Sequence, residues 1–172
     1  MSPSKIVVSD ASVILDLAKA RLIEAALALS FDFVIPDFIF NQELLDLGAY
    51  SPPDLVRLGF TIATLDGKGV SLALAHYGRN RSRLSFNDCV ALTHAETKGC
   101  ILMTGDGPLR LVAEKMKIEV HGLLWVASLM AEHGTCPKDR LIAALQQLHD
   151  DPSRRLPREA LAELIHRLKS AR

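Results

Sequence analysis

The sequence predicts an α/β fold: a three-layer α/β/α arrangement around a short, mainly parallel twisted sheet, with extra helices at the C-terminus. Two observations predict it. Short apolar runs (Ile6-Val-Val8, Phe33-Val-Ile35, Cys100-Ile-Leu-Met103) alternate with stretches whose apolar residues recur at helical spacing. The runs are continuously apolar, as in strands buried on both faces of a parallel sheet, where a half-exposed strand would alternate apolar with polar.

Residues 5–9 read as the first strand. A helix follows with Val13, Ile14, Leu17 and Ala18 on its buried side, and residues 21–29 form a second Ala/Leu-rich helix. Residues 31–35 are a strand closed by Pro36, and residues 37–47 a helix ended by Gly48 and the Ser51-Pro-Pro53 turn. Residues 54–58 are a short helix or turn, residues 60–65 a weak or edge strand, and residues 69–77 a helix. A polar loop over residues 78–85 carries Arg79, Arg81 and Arg83. Residues 86–98 are a helix stopped by Gly99. The strand at 100–103 leads through Thr104-Gly-Asp106 into a helix over 107–116, whose Pro108 sits where the missing N–H has no intrahelical partner anyway. Residues 118–121 are a strand, and residues 122–132 an apolar helix with the single tryptophan, Trp125, in its core-facing part. Gly134 and Pro137 break the chain. Two amphipathic helices follow: residues 139–149 (Leu141, Ile142, Leu145, Leu148 on one stripe) and residues 158–169 (Leu161, Leu164, Ile165, Leu168). Residues 1–149 thus make one domain; residues 150–172 are a linker and a helix packed on it or on a partner.

Composition narrows the function. Apolar residues make up 49% and charged residues 23%, as in an ordinary globular domain. Twenty basic residues balance twenty acidic ones, so net charge makes no case for nucleic acid and any such case rests on local clusters. The three cysteines, Cys89, Cys100 and Cys136, are widely spaced and read as buried thiols of a cytoplasmic protein, not as a disulfide frame or zinc site. No secretory signal is visible, and no run approaches the ~18–20 apolar residues of a membrane helix.

Four carboxylates carry the chemistry. Asp10 ends the first strand and Asp106 follows a later one; each opens a helix. Asp88 lies in the first turn of the 86–98 helix, behind Ser85. Each alone reads as a helix cap, a short acceptor for a free backbone N–H. Glu43 fits that reading less well, because Ile39, Phe40 and Leu47 share its stripe and a lone carboxylate there is costly. Asp88 shares its face with Ala91, Leu92 and Ala95, which aims it at the end of the sheet. Together the four suggest one cluster at one sheet edge. Their mutual repulsion needs a counter-charge, and a hard divalent cation, Mg²⁺ or Mn²⁺, takes such oxygen ligands. No paired histidines, Cys-x-x-Cys or Gly-rich phosphate loop points elsewhere.

In these residues the chain resembles the PIN-domain family over about the first four-fifths of its length. Ile6-Val-Val-Ser-Asp10-Ala-Ser12 is similar to the family's opening strand and first acid. Asn41-Gln-Glu43 matches its helical glutamate, Leu84-Ser-Phe-Asn-Asp88 its third acid, and Thr104-Gly-Asp106 its fourth. Residues 119–125 look like its last strand and helix. The resemblance implies a Mg²⁺- or Mn²⁺-dependent ribonuclease in which an activated water attacks the phosphodiester in line. It implies Asp10, Asp88 and Asp106 as metal ligands, Glu43 as a ligand or an orienter of water, and Ser12 and Thr104 as hydrogen bonders holding the carboxylates. It also suggests the toxin of a toxin–antitoxin pair, with a small antitoxin protein as partner and a homodimer as its assembly. One departure stands out: many members carry a further acid or Asn just after the fourth Asp, where this chain has Gly107 and Pro108. That motivates an alternative, a weak or inactive PIN-fold module that binds RNA or protein. A phosphotransfer receiver fits less well, because Asp10 has no second acid beside it.

Arg79, Arg81 and Arg83, just before Asp88, are candidates to hold RNA phosphates. Arg154, Arg155 and Arg158 form a second basic cluster. His94 and His121 read as packing or hydrogen-bonded histidines, and Asp16 and Asp46 as exposed helix residues.

Overall fold

The computed structural model describes residues 5–171. Strands β1 (Lys5–Ser9), β2 (Phe31–Pro36), β3 (Thr61–Ala63), β4 (Ile101–Met103) and β5 (Val120–His121) form one sheet in the order β3-β2-β1-β4-β5. Every pairing is parallel. Successive side chains of a strand face opposite sides, yet Val7 and Val8, and Leu102 and Met103, are all buried. Both faces of the sheet are therefore covered, which is why its strands read as unbroken apolar runs.

The strand order positions the site. The chain steps outward from β1 to β2 to β3, then returns to lay β4 on the other side of β1. The winding reverses between β1 and β4, and in open parallel sheets such a reversal opens a crevice at the carboxyl ends of the strands. Asp10 follows β1 and Thr104 follows β4 at that point. The Asp10 N–H donates to the Met103 carbonyl at 3.0 Å, tying the two strand ends together.

Helix α6 (Phe86–Lys98) lies against β1, β2 and β4, flanked by α3 (Asp37–Gln42), α5 (Gly67–Asn80) and α7 (Gly107–Lys115). Its whole middle, Cys89 through Ala95, is buried; the alanines allow a close approach to the sheet. A second group packs together: α1 (Ala11–Lys19), α2 (Ile23–Leu27) and α8 (Leu123–His133), the last touching β5. The remaining short helix, α4 (Pro52–Leu58), precedes β3 and is opened by a reciprocal Ser51–Asp54 capping box.

Helices α9 (Lys138–Asp150) and α10 (Arg158–Ser170) pack on each other and on α8. Leu141, Leu145, Leu148, Leu161, Leu164, Ile165 and Leu168 are all buried. The chain itself covers these apolar stripes, so no partner is needed to explain them. The linker between the two helices is pinned to α1 by Arg154 on Asp16 at 3.0 Å and Lys19 on Asp151 at 2.5 Å. Asp16, expected to be exposed, is buried as a result.

Three helices differ most in their bounds from the sequence reading. The helix expected over 37–47 stops at Gln42, with Glu43 as its C-cap. Phe, Ile, Asn and Asp are weak helix formers, so apolar periodicity alone overran the hydrogen-bonded ladder. Asp46 is exposed but consequently lies outside any helix. Helix α2 is shorter than expected, because Arg21 adopts φ 54° at the turn leaving α1. Helix α5 is longer at both ends: Asp66 caps it by accepting the Gly69 N–H at 2.8 Å, and it runs on to Asn80, taking Arg79 out of the loop.

Candidate active site

Three of the four acids do cap helices, as their positions predicted. The Asp10 Oδ1 accepts the Ser12 N–H at 3.0 Å and the Ser12 hydroxyl at 2.6 Å at the start of α1. Asp88 and Ser85 form a reciprocal capping box: the Ser85 N–H donates to Asp88 Oδ2 at 2.7 Å and the Asp88 N–H to Ser85 Oγ at 3.1 Å. The Asp106 Oδ1 accepts the Leu109 N–H at 2.8 Å. Capping leaves chemistry to spare. Among the described residues, Asp88 Oδ1 and Asp106 Oδ2 accept no protein hydrogen bond.

Asp10 is different. Its second oxygen is also engaged, by the hydroxyl of the buried Thr104. The same Thr104 oxygen accepts the Asp106 N–H at 2.9 Å, and Ser12 Oγ accepts the Gly105 N–H at 2.9 Å. Two hydroxyls, each donating to Asp10 and accepting from the opposite turn, join the ends of β1 and β4 into one network. Gly105 allows this closeness, because a Cβ there would stand 3.2 Å from Ser12 Oγ.

Burial sets the electrostatics. Asp10 is only 5% exposed, and desolvation pushes its carboxyl up to about 6. Hydrogen bonds from Ser12 and Thr104 pull the other way, and the negative charge of Asp88 adds to the rise. A buried carboxylate raised by its surroundings and repelled by a second one gains from a nearby cation, which favours its charged form.

Glu43 reaches the same edge by a different route. The Asn87 side-chain amide donates to Glu43 Oε1 at 2.6 Å and to Gln42 Oε1 at 3.2 Å, fastening the end of α3 to the first turn of α6 beside Asp88. Sequence reasoning gave Asn87 no role. The signal that could have found it is an amide directly before an acid in a capped first turn, facing an acid left on another helix end. Arg79, Arg81 and Arg83 are all exposed and make no ion pair among the described residues. They form a positively charged rim before Ser85. The second basic cluster is largely spent: Arg154 is paired with Asp16, and Arg158 donates to the His149 and Asp151 carbonyls. His121 stacks on Trp125 with ring centroids 4.3 Å apart, and Trp125 is half-buried against Phe31. His94 is a packing residue, buried with its Nε2 unpartnered.

The donor set is all oxygen and therefore suits a hard divalent cation. Among the described residues no three of His, Cys, Asp and Glu converge to hold a metal ion together. What is assembled is a pair of carboxylates, Asp10 and Asp88, close enough to feel each other's charge. Mg²⁺ is commonly held by one or two carboxylates with water completing its octahedron, so the residues present fit it.

Comparison with known proteins agrees with the fold. The model of the family DUF3368, described as a PIN domain, matches residues 6–170. The chain belongs to this PIN-domain family, and the match takes in α9 and all of α10 as well as the sheet. No curated protein matches the chain. PIN domains are generally nucleases, so the fold is one for cutting or binding nucleic acid. No helix among the described residues is long and apolar enough to cross a membrane.

Proposed function

We propose that this protein is a Mg²⁺- or Mn²⁺-dependent endoribonuclease, acting as the toxin of a toxin–antitoxin pair. The observation that carries the nuclease reading is the Asp10 network: a buried carboxylate at the sheet's switch point, held on both oxygens, with the Asp88 charge facing it. Asp10 and Asp88 would hold the metal, and Asp106, with one carboxylate oxygen to spare, would meet it through a bound water. A bound divalent ion supplies charge neutralisation at the phosphate and lowers the pKa of a water. The chain's own residues do the rest. Ser12 and Thr104 fix the Asp10 carboxylate and keep it aimed outward from the strand ends. Glu43, oriented by Asn87, accepts a hydrogen bond from the attacking water. Arg79, Arg81 and Arg83 bind the phosphates of the approaching strand.

The toxin role is supported by the family likeness. As a toxin it would act in the cytoplasm, with a small antitoxin protein as partner. A homodimer would cover Leu74 and Tyr77, two exposed apolar residues three apart on α5.

The test is cleavage of single-stranded RNA with Mn²⁺, with EDTA, and with the Asp10→Asn and Asp88→Asn variants. We expect EDTA to abolish cleavage and each variant to lower kcat by about a thousandfold. Glu43→Gln should cost less, about tenfold to a hundredfold. Cleavage that survives EDTA, or both Asp variants, would sink the proposal.

One observation favours a second reading, a binding module with a weak site: three ligands do not converge around one point. Unchanged thermal stability with Mn²⁺, together with RNA binding and no cleavage, would select it.

A further inference from the structure

A cavity of about 520 Å³ opens directly beside the Asp10 network, sharing Thr104 and Gly105 with it. Its floor is the turn after β4, Thr104 and Gly105. Its walls are Val13 of α1, Leu123 and Leu124 at the start of α8, and Arg155, Leu156 and Pro157 of the linker before α10. The volume lies within the ~300–1,000 Å³ typical of small-molecule sites, and the lining is mostly apolar with a few charged groups, as such sites are.

The charged groups are arranged unequally. Asp16 lines the cavity, but its charge is answered by Arg154 at 3.0 Å. Arg110 is held in place by backbone: Nη2 donates to the Thr104 carbonyl at 3.2 Å and Nη1 to the Val120 carbonyl at 3.5 Å. Its one ion-pair partner among the described residues is the half-exposed Glu114, at 3.8 Å. Gly122 lets the guanidinium sit there, since a Cβ at that position would stand 3.2 Å from Arg110 Nη2. Arg155 has no ion pair or hydrogen bond among the described residues and is exposed at the cavity mouth. The cavity therefore carries uncompensated positive charge beside an apolar surface.

Thr104 joins this cavity to the candidate active site. Its hydroxyl donates to Asp10, and its carbonyl accepts from Arg110. A chain with its scissile phosphate at Asp10 and Asp88 has its neighbouring unit beside this opening. We propose that the cavity seats the nucleotide adjacent to the scissile phosphate of a single-stranded RNA. Val13, Leu124, Leu156 and Pro157 take the base and ribose, and Arg110 and Arg155 take the phosphate. Single-stranded RNA is the fitting class, because a base enters such a pocket only when it is unstacked. This proposal rests on the nuclease reading for its substrate, but its test does not depend on cleavage.

The test measures binding of a short fluorescent single-stranded RNA by anisotropy in EDTA, across a salt series, for the whole protein and for Arg155→Ala and Arg155→Lys. Arg155 is exposed, and unchanged thermal melts will confirm that the variants fold. We expect Arg155→Ala to weaken binding about tenfold and to lower the salt slope by about 0.7. Arg155→Lys should restore the slope. Competition separates a nucleotide site from a bare phosphate site: a 5′-nucleoside monophosphate should displace the RNA at roughly tenfold lower concentration than inorganic phosphate, because only it fills the apolar wall. Binding and slope unchanged in Arg155→Ala would overturn the proposal, and so would equal competition by phosphate and nucleotide. The Asp10 and Asp88 variants report on the nuclease reading alone. A protein that never cleaves but loses RNA affinity in Arg155→Ala keeps the pocket and loses the catalysis.

Discussion

The two sides of the candidate active site are built on opposite principles. On the β1–β4 side, Asp10, Ser12, Thr104 and the Gly105-Asp106 turn form a closed network in which Asp10 and Thr104 are buried and every hydroxyl both gives and receives a hydrogen bond. On the α3–α6 side, Glu43 sits at the C-cap of α3 with its side chain held by one amide, and the arginines stand exposed to solvent. Buried polar networks rigidify when fully satisfied and are costly when broken. Exposed charges can move and be screened, and individually they contribute little. The first side is suited to holding a catalytic group still, the second to meeting a variable, charged chain.

The sharpest way to break this comparison is to remove the same kind of hydrogen bond from each side. Thr104→Val leaves Asp10 one donor short and the Asp106 N–H without its acceptor. If Asp10 holds the metal as proposed, we expect a loss of about tenfold to hundredfold in kcat, as is typical when a group positioning a ligand is removed, and a loss of about 1–3 kcal/mol in stability by denaturant melts. Asn87→Ala on the other side should lower kcat less than about fivefold, with little change in stability. Equal effects would erase the distinction.

A smaller effect should appear in substrate binding. Replacing Arg79, Arg81 and Arg83 together by alanine should raise KM while leaving kcat within about twofold. It should also flatten the salt dependence of RNA binding by about two, given roughly 0.7 per phosphate contact on single strands. A fall in kcat at saturating RNA would mean that the rim reaches the reacting phosphate.

The smallest expected effect lies outside the site. Burial lowers the pKa of His94, against the weaker pull of Asp37 and with a small further lowering from Lys98. A histidine lowered in the fold is neutral there, while the unfolded chain still takes up a proton near its ordinary value of about 6.5. The unfolded state then binds more protons, so stability is full above that value and is lost as pH falls towards the folded-state pKa. Asp10, raised to about 6, works the other way over the same range, so His94 is read by difference: between pH 7.5 and pH 5.5 the unaltered protein should lose more stability, or gain less, than His94→Gln. A change of the same size in the variant would place the acid sensitivity elsewhere.

Much of the site was legible in the sequence because its acids obey local rules. Asp10 and Asp106 each stand at the N-cap of a helix and Asp88 at the third position of one, so strand-then-helix patterning located them and predicted their caps. Glu43 was harder. Its stripe placed it inside a helix that ends one residue earlier, and its partner Asn87 lies 44 residues away. Asp16 was misread for the same reason: its partner Arg154 is 138 residues away, and periodicity says nothing about what covers a residue from outside.

The sequence by itself determined the alternation of strands and helices, the parallel sheet and the acids at strand ends, because apolar periodicity and helix capping act over a few residues. Only the tertiary structure decided that β4 returns to lie beside β1, that Thr104 meets Asp10, and that the linker before α10 closes a pocket over Arg110. Those contacts depend on which elements become neighbours, and that is set by how the whole core packs.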